Sequence, residues 1–257
     1  MLKGLFLAAS FLWRFPIKIK EVSERDFEKA LVFFPAIGAM EGLILAILAK
    51  NLNPYLKEEI SALLLLLILF YLRGIFHLDG LSDTFDALAY KGNTDLEEDR
   101  KKRLEIMKDS RAGVSGITAL FINLLAKFIF LKDILNIPHY AFLFLPFFLS
   151  RVFLLPVIYF SKPAKKEGLG FLMKKSLHKE TFFKGMILSL LILSGFLIIA
   201  NFLKIYHILL ILCLNFLIIA SFKRKFKRAF GGLTGDNFGA LVEISEALTL
   251  FYGAVLW

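Results

Sequence analysis

One cysteine stands in this sequence of 257 residues, so no disulfide can close within the chain. Cys213 lies inside an apolar run and is read as a packing residue. No repeat with a period of about 20–50 residues and no low-complexity linker is found, which excludes solenoid arrays and tethered layouts. A cleavable secretory signal is not expected either. Residues 1–13 make one short apolar stretch, with no small-residue cleavage region before Arg14. At that length the stretch is expected to lie in the membrane interface or to insert only partly. Residues 1–257 are read as a single integral membrane domain.

Apolar surface is what the chain has in excess. Hydrophobic residues make up 58% of it, 29 of them Phe, whereas a soluble domain holds about 45–50%. Runs at 30–49, 61–76, 114–131, 140–160, 182–200, 205–221 and 238–257 approach the length of a bilayer-crossing helix. The expected fold is therefore all-α, a polytopic membrane bundle of about seven transmembrane helices plus a short N-terminal apolar helix. The connection 201–204 is short enough to make its flanking helices antiparallel neighbours.

A net charge of +10 could suggest nucleic acid, but its placement points elsewhere. Segments 14–29, 77–113, 161–181 and 223–228 hold 23 Lys and Arg, while the alternate turns 50–59, 132–138 and 201–204 hold 4. That alternation makes the basic set cytoplasmic and leaves the C-terminus outside. No nucleic-acid partner is expected. The block Lys223-Arg-Lys-Phe-Lys-Arg228 is read as a topology anchor on anionic membrane lipid.

The same sidedness sorts the chemistry. After the run 61–76 comes His77-Leu-Asp-Gly-Leu-Ser-Asp-Thr-Phe-Asp86. If the helix carries on, Asp79, Asp83 and Asp86 fall on one face at i, i+4 and i+7. Like charges at that spacing repel. The bland reading is a solvated acidic helix end with Asp79 as a cap; the functional one is a site for Mg²⁺ that leaves room for substrate phosphates. One of the three could also take a proton from an attacking hydroxyl. His77 falls roughly opposite this face unless Gly80 bends the helix, and Arg73, deeper in the span, needs a carboxylate or phosphate partner. Lys108, Asp109, Ser110 and Arg111 precede the next span. Asp109 or Ser110 could cap it, and the two cations beside a helix N-terminus could equally bind an anion. The loop from Gly231 to Asp236, with Gly232, Thr234 and Gly235, could cradle phosphate, although it lacks the P-loop pattern. Asp236, Glu243 and Glu246 follow within the last span as further candidate ligands, and Glu41 is a fourth acid inside an apolar run.

Four ordered stretches now carry a resemblance: residues 77–86; Arg103-Leu-Glu-Ile-Met-Lys-Asp-Ser-Arg-Ala-Gly113; Glu167-Gly-Leu-Gly170; and Gly232-Leu-Thr-Gly-Asp-Asn-Phe-Gly-Ala240. Phe11-Leu-Trp-Arg-Phe-Pro16 and Phe34-Pro-Ala-Ile-Gly38 add to it. Together they resemble the cobalamin 5′-phosphate synthase family, also called adenosylcobinamide-GDP ribazoletransferase. One position departs: Ala87 stands where the family has Gly. The resemblance implies a Mg²⁺-dependent phosphotransferase of the cell inner membrane. Its substrates would be adenosylcobinamide-GDP and α-ribazole or its 5′-phosphate, and GMP would be released. It further implies that Asp79, Asp83 and Asp86 bind metal across the diphosphate, held by Lys108, Arg111 or the Gly-rich loop, while the ribazole 3′-hydroxyl attacks. A homo-oligomer is left open. Two other families fit the residues less well. A CDP-alcohol phosphotransferase would share Asp83-x-x-Asp86, but Ala87, Tyr90 and the spacing of Gly92, Asp95 and Asp99 miss its motif. A cofactor transporter would show internal repeats and broken helices in both halves, and neither is visible.

Overall fold

The computed structural model describes residues 2–14, 23–92, 95–109, 111–136, 139–200 and 205–256. In chain order the α-helices are α1 (Leu2–Leu12), α2 (Glu24–Val32), α3 (Phe34–Leu52), α4 (Glu58–Arg73), α5 (Phe76–Ala89) and α6 (Leu96–Ile106). They are followed by α7 (Val114–Leu135), α8 (Phe144–Tyr159), α9 (Leu169–Ser176), α10 (Lys179–Ile199), α11 (Ile205–Phe230) and α12 (Gly235–Leu256). No strand occurs among the described residues, only a single parallel bridge between Pro163 and Leu233.

Among the described residues, six helices are long and apolar enough to cross a membrane: α3, α7, α10, α11, α12, and α8 with the 3-10 turn before it. A seventh span exists only as the pair α4 and α5, which meet at 93°. This corrects the expectation of one continuous helix through residues 61–86. α4 stops at Gly74, whose φ of +71° is a conformation that side-chain-bearing residues rarely adopt, and α5 starts afresh after Ile75. Gly80, the expected bend, lies inside an unbroken α5.

α8 and α12 are the most enclosed spans, whereas α7, α10 and α11 form a rim. Ile122, Leu190, Leu191, Leu209 and Phe216 are exposed on that rim, and an apolar face of this extent requires lipid around it. α1 rises only about 16 Å, too short to cross, and buries Leu7, Ala8 and Leu12 beside α2 and α3. α10 and α11 are not the close neighbours that their short connection implied. α10 rests on α2, α3 and α8, while α11 rests on α12 and α6. The connection itself, 201–204, lies outside the described residues, as do Phe15 and Pro16.

The connecting segments gather at two ends. At one, Arg100 and Arg103 of α6 donate to the carbonyls of Arg228 and Ala229, Leu233 N–H donates to Lys162 O (2.9 Å), and Lys175 pairs with Glu24 (2.5 Å). At the other, Asn53 donates to Leu135 O (2.8 Å) and Tyr140 Oη (3.0 Å), and Lys132 pairs with Glu59 (2.9 Å). These are the two sets that loop charge had separated.

Candidate active site

α5 is amphipathic. It buries His77, Leu78, Leu81, Thr84 and Ala87 and leaves Asp79 exposed, with Asp83 and Asp86 half-buried. The N-terminus of α12 packs directly on it. A Cβ added at Gly80 would lie 2.7 Å from the Asp236 carbonyl oxygen, so only glycine permits this approach. Asn237 Nδ2 donates to Thr84 Oγ1 (3.1 Å) and fastens the contact. Asp236 thereby joins the α5 face: Asp83 lies in the fields of Asp79, Asp236 and Asp86, with Lys165 the cation that opposes them. Four carboxylates against one lysine are unfavourable unless a further cation or proton is present.

Asp86 has a second duty. Its Oδ2 accepts from Gly113 N–H (2.8 Å) and its Oδ1 from Gly116 N–H (2.7 Å), so it caps α7 from another helix. This corrects the reading in which Asp109 caps α7; the N-cap residue is Gly113, which has no side chain to do so. Ser110 lies outside the described residues. Asp109 instead pairs with Arg111 (2.6 Å), whose guanidinium holds its carboxyl down at about 2. Arg111 is almost fully exposed.

The glycine-rich loop is held by packing. Thr234 Oγ1 accepts from Asn237 N–H (3.2 Å) and Asn237 Oδ1 from Thr234 N–H (3.0 Å), a reciprocal cap at the start of α12. A Cβ at Gly232 would stand 2.6 Å from Pro163, which explains that glycine without a ligand. Gly235 lines a small cavity with Lys165, Gly170 and Asp236. Lys165 and Glu167 are shared with a neighbouring cleft that also contains Lys101, Lys108 and Lys166. A lysine-lined cleft thus leads to the carboxylates.

Arg73, Glu243 and Glu246 are placed elsewhere, and their expected roles are corrected. Arg73 is buried and donates to Glu246 (2.7 and 2.9 Å) and to Glu41 (2.8 Å). Glu246 also accepts from Lys127 (2.7 Å) and Arg151 (2.7 Å), and Glu243 accepts from Lys127 (2.6 Å) and Asn123 (2.9 Å). Arg151 and Trp13 complete the shell of Glu41, at 3.0 and 2.9 Å. Carboxylates so occupied by cations are not free to be metal ligands. His77 is buried against α12 near Gly239, on the side of α5 away from the carboxylates.

For a hard divalent cation, the remaining donors are Asp79, Asp83, Asp86 and Asp236. Among the described residues no three acids converge as a ready-made ligand set. Oxygen donors of this kind nonetheless fit Mg²⁺, which commonly takes one or two carboxylates and completes its shell with water and substrate phosphates.

Comparison with known proteins bears on this site. Residues 4–254 match the family model described as cobalamin-5-phosphate synthase. The chain belongs to that family. An adenosylcobinamide-GDP ribazoletransferase of Thermodesulfovibrio yellowstonii is 38% identical, with 100% of this chain and 99% of the relative covered. Proteins of the same name from Treponema denticola and Thermoanaerobacter pseudethanolicus are 34% and 32% identical, each with 97% of this chain and 96% of the relative covered. No solved structure matches. Membership makes the chain a multi-pass membrane transferase of cobalamin biosynthesis. Ala87, after the acidic run, is fully buried in regular helix, so no glycine conformation is needed there. Sequence reasoning missed Asn123, Lys127, Arg151 and Lys165. Lys127 and Arg151 could have been found, because each interrupts an apolar run just as Glu41 does.

Proposed function

We propose that this chain joins α-ribazole, or its 5′-phosphate, to adenosylcobinamide-GDP, giving adenosylcobalamin or its 5′-phosphate and releasing GMP. The reading rests on the family membership, and one observation carries it to particular residues. Asp83 lies in the fields of Asp79, Asp236 and Asp86, and Asp236 lines a cavity that shares Lys165 with a lysine-bearing cleft at one polar end of an apolar bundle. Diphosphate oxygens would be drawn by Lys108, Lys165 and Lys166. Asp79, Asp83 and Asp236 would hold Mg²⁺, and Asp86, already committed to α7, keeps lone pairs to contribute. When bound, Mg²⁺ would neutralise charge on the diphosphate. The ribose 3′-hydroxyl oxygen would then bond to the phosphorus of the cobinamide arm. A carboxylate of the α5 face takes its proton, and the bond to the GMP oxygen breaks with the electron pair leaving on GMP.

The basic connecting segments support a cytoplasmic site at the cell inner membrane. In a variant with Cys213 replaced by Ser, a cysteine at exposed Lys162 should resist an impermeant maleimide in intact cells and react after lysis. Labelling in intact cells would reverse the orientation. For the activity, purified protein in detergent with Mg²⁺, adenosylcobinamide-GDP and α-ribazole 5′-phosphate should release GMP. No GMP, but CMP from a CDP-alcohol and an alcohol acceptor, would sink the reading.

A further inference from the structure

α8 and α11 pass one another with a gap of ≈ 510 Å³ between them. α11 leans on α12 rather than on α8, which leaves Phe153, Pro156 and Val157 facing Phe216, Ile219 and Ala220 across open space. These walls are apolar and lie within two spanning helices. The far end of the groove is different. Lys223, Arg224 and Lys227 line it from one side of α11, and among the described residues no acidic one lines it.

The cations are crowded. Lys223 lies in the positive fields of Lys227 and of Lys174 from α9. Lys223 Nζ donates to Phe160 O (3.1 Å) and Lys174 donates to Tyr159 O, so both are drawn to the last turn of α8. Their charges nevertheless meet no carboxylate there. From Phe216 to Lys223 the rise along α11 is about 10 Å, so the basic mouth sits roughly two turns outward from the apolar floor. The apolar run of α11 ends at Phe222, which puts the mouth at the level of lipid headgroups.

An apolar trough about 10 Å deep under unneutralised cations has the chemistry of a phospholipid with net negative charge. We propose that the α8–α11 groove is a binding site for one anionic phospholipid, with its phosphate on Lys223, Arg224 and Lys227 and an acyl chain between Phe153 and Phe216. The site is separate from the carboxylates of α5 and α12 and does not depend on which reaction they serve. A basic block that merely sets topology would attract anionic lipid through charge alone, and filling the groove would not matter to it.

The test compares lipids on the intact, detergent-purified chain, using native mass spectrometry and thermal unfolding with palmitoyl-oleoyl phosphatidylglycerol, the matching phosphatidylcholine, and inorganic phosphate. Phosphatidylglycerol should bind saturably at one per chain and raise the Tm, and the other two should not. Changing Lys223→Gln with Lys227→Gln should weaken that binding about tenfold or more, since two of the three cations facing the headgroup are lost. Ala220→Phe, which fills the trough but keeps every charge, should weaken it as well, while GMP release in detergent stays unchanged. Equal binding of phosphatidylcholine, competition by inorganic phosphate alone, or retention of phosphatidylglycerol by the Ala220→Phe variant would each overturn the proposal.

Discussion

Two acidic regions a few turns apart are handled in opposite ways. Inside the bundle, Glu41, Glu243 and Glu246 meet Arg73, Lys127 and Arg151, so three negative charges face three positive ones. At the polar end, Asp83 lies in the fields of Asp79, Asp236 and Asp86, with Lys165 an opposing cation. The inner set is balanced because its members are buried, and an unpaired ion in an apolar interior is strongly disfavoured. The outer set can tolerate its surplus only where solvent or a ligand cation reaches it. Balance thus fits a structural device, and the surplus of negative charge is what the proposed cation would offset.

The comparison breaks most visibly at its balanced member. Lys127→Met leaves Glu243 and Glu246 short of a cation and should destabilise the protein by about 3–5 kcal/mol; thermal unfolding in detergent measures it. A partner change of Glu243→Gln should return part of that loss, and additivity of the two would show that the network is not coupled.

The unbalanced member should respond in the other direction. Asp83→Asn removes a repulsion, so the Tm without metal should hold or rise, while GMP release falls by about two orders of magnitude or more. Mg²⁺ should raise the Tm of the wild type, by up to about 2.7 kcal/mol of stabilisation at a hundredfold excess over Kd, and should do much less for the Asn variant. A lower Tm with full activity would reverse the roles assigned to the two regions.

Asp86 belongs to both, and this sharpens the distinction. Asp86→Ala frees Gly113 N–H and Gly116 N–H and should lower stability by about 1–2 kcal/mol as well as activity. Asp86→Asn, which keeps an acceptor, should recover part of the stability but not the activity.

The smallest effect is expected at Asp109 and Arg111. The carboxyl is held at about 2, below its ordinary value. Any stabilisation is therefore complete above the ordinary range near 4 and is lost only as pH falls toward 2, with about 4 being the unperturbed carboxylate value. Because the pair is exposed, Arg111→Ala should leave Tm and GMP release essentially unchanged between about pH 6 and 8. A large loss of activity would place Arg111 on the substrate after all.

Much of the α5 face was legible beforehand. The spacing of Asp79, Asp83 and Asp86 follows from helical periodicity, which is local. The break at Gly74 was not legible, since a glycine after a long apolar run is equally compatible with a continuing helix, and only packing selects its positive φ. Arg73 and Glu246 were each suspect for lying among apolar residues, yet nothing local could pair them across 173 positions of sequence. Glu243 and Glu246 were grouped with Asp236 because they share a helix. Helix depth then separated them, leaving Asp236 at the polar end and its two followers among cations inside.

The sequence alone located the long apolar runs, which connections share a side, and where ionisable residues interrupt the spans. Each of these depends on run length and charge within a few dozen residues, so each is written locally. The tertiary structure decided which acid meets a cation and which does not, because that depends on helices from distant parts of the chain arriving at the same depth. Glu243 and Glu246 meet Lys127 inside the bundle, whereas Asp83 lies among the fields of three other carboxylates at its polar end.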